Sequence, residues 1–129
     1  MGEQTFVKIR KMLGISLLFL FAISMVSVAS SYDCTYGPDT CKQGYVWRGA
    51  VPSDRVCVTP AVREQTRIDN SLADQRRNPI GGAYGPNTCI ASYVWRDAFP
   101  GDVVCVLPQT RAQAYQDNSK AAQRKACVY

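Results

Sequence analysis

Displaced by 48 positions, the sequence falls onto itself. Tyr36-Gly37-Pro38-Asp39-Thr40-Cys41 lands on Tyr84-Gly85-Pro86-Asn87-Thr88-Cys89, and Tyr45-Val46-Trp47-Arg48 lands on Tyr93-Val94-Trp95-Arg96. The register holds without a gap through Asp54 and Asp102, Cys57 and Cys105, and Asp69-Asn70-Ser71 and Asp117-Asn118-Ser119. About 24 of the 42 aligned positions are identical, so the fold must be a pair of like units. Units of about 45 residues are small for a self-sufficient core and normally need covalent help.

The cysteines offer that help. All six (Cys34, Cys41, Cys57, Cys89, Cys105 and Cys127) lie beyond residue 33. An even number in a short chain, with no Cys-x-x-Cys pair and no histidine, reads as a disulfide framework, not a metal site. Six cysteines permit fifteen pairings, which the repeat narrows. Cys41 and Cys57 have counterparts in Cys89 and Cys105, whereas Cys34 and Cys127 have none. The simplest solution bridges Cys41 to Cys57, Cys89 to Cys105 and Cys34 to Cys127. In a chain-entropy treatment each short bridge is worth roughly 3 kcal/mol and the long one about 4 to 5. A swapped pairing, Cys41 with Cys105 and Cys57 with Cys89, also respects the repeat. The first is favoured because local closure is entropically easier.

The front of the chain carries an address. Lys8, Arg10 and Lys11 precede an uncharged, largely apolar run from Met12 to Val28, and small residues follow at Ala29-Ser30-Ser31. These are the three parts of a secretory signal, cleaved after Ala29 or Ser30. A retained anchor is the rival reading, since a run of about 17 residues lies at the lower edge of a spanning helix. The small-residue cluster favours cleavage. The expected organisation is a signal peptide over 1–30, a first unit over 31–78, a linker over 79–83 and a second unit over 84–129. Beyond the signal, twelve Lys and Arg oppose nine Asp and Glu, a balance of +3 with interspersed signs. That balance is ordinary solubility and not a nucleic-acid footprint. The product is expected to be secreted, monomeric and without a membrane span.

Within a unit, Tyr-Gly-Pro-(Asp/Asn)-Thr is turn chemistry. Tyr45-Val46-Trp47-Arg48 and Val56-Cys57-Val58 are short and β-prone, and flank a turn at Pro52-Ser53-Asp54, which predicts a small hairpin. Thr59-Pro60 is a helix start, and the run from Ala61 to Arg77 lacks Gly and Pro. The second helix is expected from Pro108 to about Lys125, with Leu107 in place of the capping Thr. Val62, Ile68 and Leu72 give the first helix a thin apolar stripe, and Ala112, Tyr115 and Ala122 do so for the second. The fold class is therefore small, disulfide-rich α+β: two tandem units, each a Cys-bridged turn and short hairpin followed by one helix.

The absence of histidine removes Ser-His-Asp and Cys-His catalysis and imidazole acid–base work together. No carboxylate spacing singles out an acid and a base, and no Gly-rich phosphate loop is present. Asn87-Thr88-Cys89 lacks the Ser or Thr of an ordinary glycosylation acceptor. No catalytic residue, metal or cofactor is assigned. The repeated candidates for ligand binding are Trp47, Arg48, Trp95 and Arg96: the indoles as stacking platforms, the guanidinium groups as hydrogen-bond donors. Two copies could bind bivalently. The competing reading, which a unit so poor in apolar residues favours, makes each Trp its large core residue. Arg48 and Arg96 then pair with Asp69 and Asp117 of the helices. Asp54 and Asp102 are expected to bond their own backbone in the turn. Asp69-Asn70-Ser71 holds poor helix formers, whose repetition suggests hydrogen bonds to the neighbouring hairpin, with a ligand contact as the second reading.

The segments YGPDTCKQGYVWRGAVPSDRVCVTPAVR and YGPNTCIASYVWRDAFPGDVVCVLPQTR resemble a short repeat of secreted bacterial proteins, found in tandem or appended to larger extracellular chains. The resemblance covers most of the chain beyond the signal and implies export and duplication. The family often carries His after the turn Asp, where Arg55 and Val103 stand here, so no role of that His transfers. The repeat has no established activity. The preferred expectation is a non-enzymatic extracellular module that meets a surface, glycan or protein. A small cationic toxin or antimicrobial protein comes second, weakened by the absence of a basic amphipathic face. A carboxylate-dependent secreted hydrolase comes third.

Overall fold

Strand pairing begins where the β-prone residues flank the Pro-containing turn. In the computed structural model, which describes residues 34–127, β1 (Val46–Trp47) pairs antiparallel with β2 (Cys57–Val58), Val46 opposite Val58 and Trp47 opposite Cys57. The second unit repeats the register with β3 (Val94–Trp95) and β4 (Cys105–Val106). Helices α1 (Pro60–Ser71) and α2 (Pro108–Ser119) follow directly. Thr59 caps α1 by accepting from the Val62 amide at 3.4 Å, whereas Leu107 offers α2 no side-chain cap. The disulfides are Cys41–Cys57, Cys89–Cys105 and Cys34–Cys127, two local bridges and one that ties the ends together. The architecture is thus α+β in two cysteine-bridged hairpin–helix units. The signal peptide expected over 1–30 lies outside the described residues.

Both helices stop earlier than their composition suggests. Each gives way to a short 3-10 turn, Asp74–Arg76 after α1 and Ala122–Arg124 after α2, instead of running on to Arg77 and Lys125. The Asn70 amide donates to the Ala50 carbonyl at 3.0 Å, fixing the end of α1 to its own hairpin. The chain then bends so that Arg76 returns to Asp69 at 2.7 Å. Asn118 and Arg124 repeat both contacts. Tertiary partners outweigh helix propensity at these ends.

The segments after the 3-10 turns are exchanged between units. Residues 76–78 pair with 88–90: Ile90 N–H donates to Arg76 O at 2.9 Å, and Asn78 N–H to Thr88 O at 2.8 Å. Residues 124–126 pair with 40–42 in the same way, through Lys42 N–H to Arg124 O and Ala126 N–H to Thr40 O, both at 2.8 Å. Each unit's tail therefore forms an isolated antiparallel bridge with the segment around the other unit's first repeated cysteine, Arg77 opposite Cys89 and Lys125 opposite Cys41, which satisfies backbone groups that an isolated unit would leave open.

The core is the main departure from expectation. Arg48 and Arg96 are 2% and 1% exposed, and each forms a two-pronged ion pair with the turn aspartate of its own unit, Asp54 or Asp102. They do not pair with Asp69 and Asp117, which are taken by Arg76 and Arg124. Trp47 and Trp95 are only half-buried, so the arginines and not the tryptophans are the largest enclosed side chains. Val58, Val106 and the cystine sulfurs of Cys57 and Cys105 complete the interior. The expected stripe of α2 is also displaced: Ala112, Tyr115 and Ala122 are exposed, while Ala114 and Asp117 face inward. In α1 the buried residues are Thr66 and Asp69, with Val62, Ile68 and Leu72 half-buried. A polar residue occupies the inward face because its partner is already there, and a buried carboxylate without one would be costly.

Candidate functional site

Two clefts on the surface are built from the same positions of the two units. Tyr36, Thr40, Tyr45, Trp47 and Arg63 line one, of about 420 Å³. Tyr84, Thr88, Tyr93, Trp95 and Arg111 line the other, of about 300 Å³. Each wall has a local cause. The Gly-Pro turn carries Tyr36 and Tyr84 to the rim, where they are 70% and 75% exposed. Thr40 holds that turn shut, accepting from Tyr36 N–H at 3.0 Å while its hydroxyl donates to Gly37 O at 2.8 Å. Thr88 does the same beneath Tyr84.

Each indole is fixed by its polar edge. Trp47 Nε1–H donates to the Asp39 carbonyl and Trp95 Nε1–H to the Asn87 carbonyl, both at 2.7 Å. The rim tyrosines meet them edge to face, with ring centroids 5.7 Å apart in the first unit and 5.8 Å in the second. The third ring is steadied from the opposite unit. The guanidinium of Arg124 lies 4.9 Å from the centre of the Tyr45 ring, and that of Arg76 lies 5.0 Å from Tyr93. Arg124 and Arg76 also donate to the carbonyls of Cys57 and Cys105. Each cleft is lined by residues of one unit, and the other unit's tail contributes the arginine beside its second tyrosine.

Of the four residues singled out in the sequence, Trp47 and Trp95 reach these clefts. Arg48 and Arg96 are directed inward, where their donors go to Asp54, Asp102, Asn70, Asn118 and the Ala98 carbonyl. Asp54 binds its own turn as expected, accepting from Ala50 N–H at 3.0 Å and Val56 N–H at 3.2 Å. Burial is the largest influence on its carboxyl and pushes the pKa up. The Arg48 hydrogen bond, the Ala50 amide, the Arg48 charge and the Val56 amide together outweigh it, and the pKa falls below its ordinary value. The sequence reading missed Tyr36, Tyr45 and Arg63 with their counterparts as cleft residues. The available signal was the repetition of large aromatic residues beyond those that one small unit can enclose.

A smaller depression of about 190 Å³ lies between α1 and α2, over Arg48 and Arg96. With those guanidinium groups committed to internal partners, it has little to offer a ligand. Among the described residues no cluster of acidic or sulfur side chains could hold a metal ion, and no helix is long and apolar enough to cross a membrane. No family model, curated protein or solved structure shows a significant match to the chain.

Proposed function

We propose that the chain is an exported, non-catalytic binding module whose two clefts each take a sugar ring of a repeating glycan. The observation that carries this reading is the duplicated cleft: a half-buried indole, an exposed tyrosine, a second tyrosine and an arginine at equivalent positions of both units. Fixed aromatic rings supply flat apolar area at little entropic cost, and the neighbouring Arg and Tyr groups supply hydrogen bonds to hydroxyls. Both volumes sit at the small end of ligand pockets, which begin near ~300 Å³, and suit one ring better than a long chain. A repeating polymer could engage both clefts and gain avidity. Export is supported by the basic, apolar and small-residue order of the first 31 residues and by the pairing of all six cysteines.

The test uses the two tryptophans, one per cleft, as reporters. The full secreted chain is titrated with a panel of soluble neutral and acidic oligosaccharides while indole fluorescence is followed. Saturable changes that Tyr36→Ala and Tyr84→Ala each remove in part, and together abolish, support the reading. A panel that leaves both indoles unmoved overturns it.

A further inference from the structure

We infer that the two clefts differ in the charge of the ring they accept: the Trp47 cleft selects a carboxylated sugar, and the Trp95 cleft a neutral one. This rests on the glycan reading above and adds the ligand class to each site. The difference begins with Arg63 and Arg111, equivalent residues lining equivalent clefts. Arg111 is ion-paired with Asp97. At the position of Asp97 the first unit has Gly49, and among the described residues Arg63 has no carboxylate partner. The nearest acidic residue in sequence, Glu64, already holds Arg67 through two hydrogen bonds of 2.7 and 2.9 Å.

A second substitution acts in the same direction. The guanidinium of Arg55 lies 4.1 Å from the centre of the Trp47 ring, and the second unit has the uncharged Val103 at the equivalent position. Arg55 is not among the residues lining the cleft, and its own bond is to the uncharged Pro52 carbonyl. The cations contributed by the other unit's tail are paired. Arg124 over Tyr45 is paired with Asp117, Arg76 over Tyr93 with Asp69, and Lys125 with Asp39. The Trp47 cleft thus has an unpaired arginine in its lining and a second over its indole, whereas the arginine lining the Trp95 cleft is paired. An anion is drawn to the first by charge and by a free Arg fork, the group best suited to a carboxylate. At the second, Asp97 repels it.

The backbone allows a reciprocal exchange. Gly49 has φ +66° and Asp97 has φ +52°, so Asp is already accommodated in this left-handed conformation, and a Cβ at Gly49 meets nothing within 4 Å. The probes are trigalacturonate and its full methyl ester, which share their rings and differ in charge. In full-length chain carrying Tyr84→Ala, which leaves the Trp47 cleft, the acid should bind about three- to fivefold tighter than the ester at low salt, the range of a partly exposed ion pair. The preference should shrink as salt screens it, fall with Gly49→Asp, which gives Arg63 a partner, and vanish when Arg55→Val is added. With Tyr36→Ala, which leaves the Trp95 cleft, the acid should bind no tighter than the ester until Asp97→Gly is added. Ester binding without acid preference at the Trp47 cleft overturns this inference and leaves the glycan reading standing. Failure of both probes to bind overturns it as well. A wholly blank oligosaccharide panel removes the reading beneath it.

Discussion

Arg48 Nη1 donates to Asn118 Oδ1 at 2.9 Å, across 70 residues of sequence. Arg96 and Asn70 form the reciprocal bond, also at 2.9 Å. Each asparagine accepts from the other unit's arginine and donates to an alanine carbonyl of its own hairpin, Ala50 or Ala98. The helix end, the hairpin and the partner unit are thereby joined through one amide. Asn118→Ala should destabilise the protein by about 1 to 3 kcal/mol, because it leaves buried partners of the amide unsatisfied. Urea unfolding measures this. The neighbouring Ser119→Ala, which loses only an exposed bond to Gln116 O, serves as the control and should change little.

Breaking the buried ion pair should cost more. Arg96→Ala strands Asp102 in the interior, a change worth about 3 to 5 kcal/mol in comparable sites. Against a typical total of about 5 to 15 kcal/mol, this is a large fraction of the stability. Arg67→Ala removes an equally short ion pair whose partners are 68% and 56% exposed, and no measurable loss is expected. Equal thermal shifts for the two variants would contradict the assignment of Arg96 to the core.

Acid should weaken the fold through Asp54. Its folded pKa lies below the ordinary 3.8, so the unfolded chain takes up the proton more readily. The associated stability is complete above the unfolded value and is lost as pH falls through the folded one. Thermal unfolding at neutral pH and at about pH 2 tests this. Asp54→Asn should be the less stable protein at neutral pH and should lose less on acidification. Equal losses in both proteins would remove Asp54 as a source of acid sensitivity.

The end-to-end disulfide should act on stability and not on the clefts. Cys34 and Cys127 are separated by 93 residues, and chain-entropy scaling assigns such a bridge about 4 to 5 kcal/mol. The double variant Cys34→Ser, Cys127→Ser should unfold at lower urea while its indole emission at zero denaturant is unchanged. An emission shift without denaturant would show that the bridge also shapes the Trp environment.

Local chemistry was legible in the sequence. The 48-residue repeat, the β-prone pairs around a Pro turn, Thr59 ahead of Pro60 and the unmatched Cys34 and Cys127 led to the hairpin–helix units and to the favoured disulfide pairing. One residue of each cleft was legible as well, because a repeated Trp draws notice. Its companions Tyr36, Tyr45 and Arg63 look like turn, strand and helix residues when read locally.

What the sequence determined by itself was set mostly by interactions within about twenty residues: turn, hairpin, helix start and short disulfide. The Cys34–Cys127 bridge, 93 residues long, followed instead from the repeat, which leaves those two cysteines unmatched. The tertiary structure alone decided that the tails cross between units, that Arg48 and Arg96 are enclosed and that Trp47 and Trp95 keep a surface. The physical reason is the cost of burying a guanidinium. It is met by partners drawn from both units, Asp54 at six residues and Asn118 at seventy, and no spacing within one unit reports that the second partner is there. With the arginines inside, the half-buried indoles line the walls of the clefts.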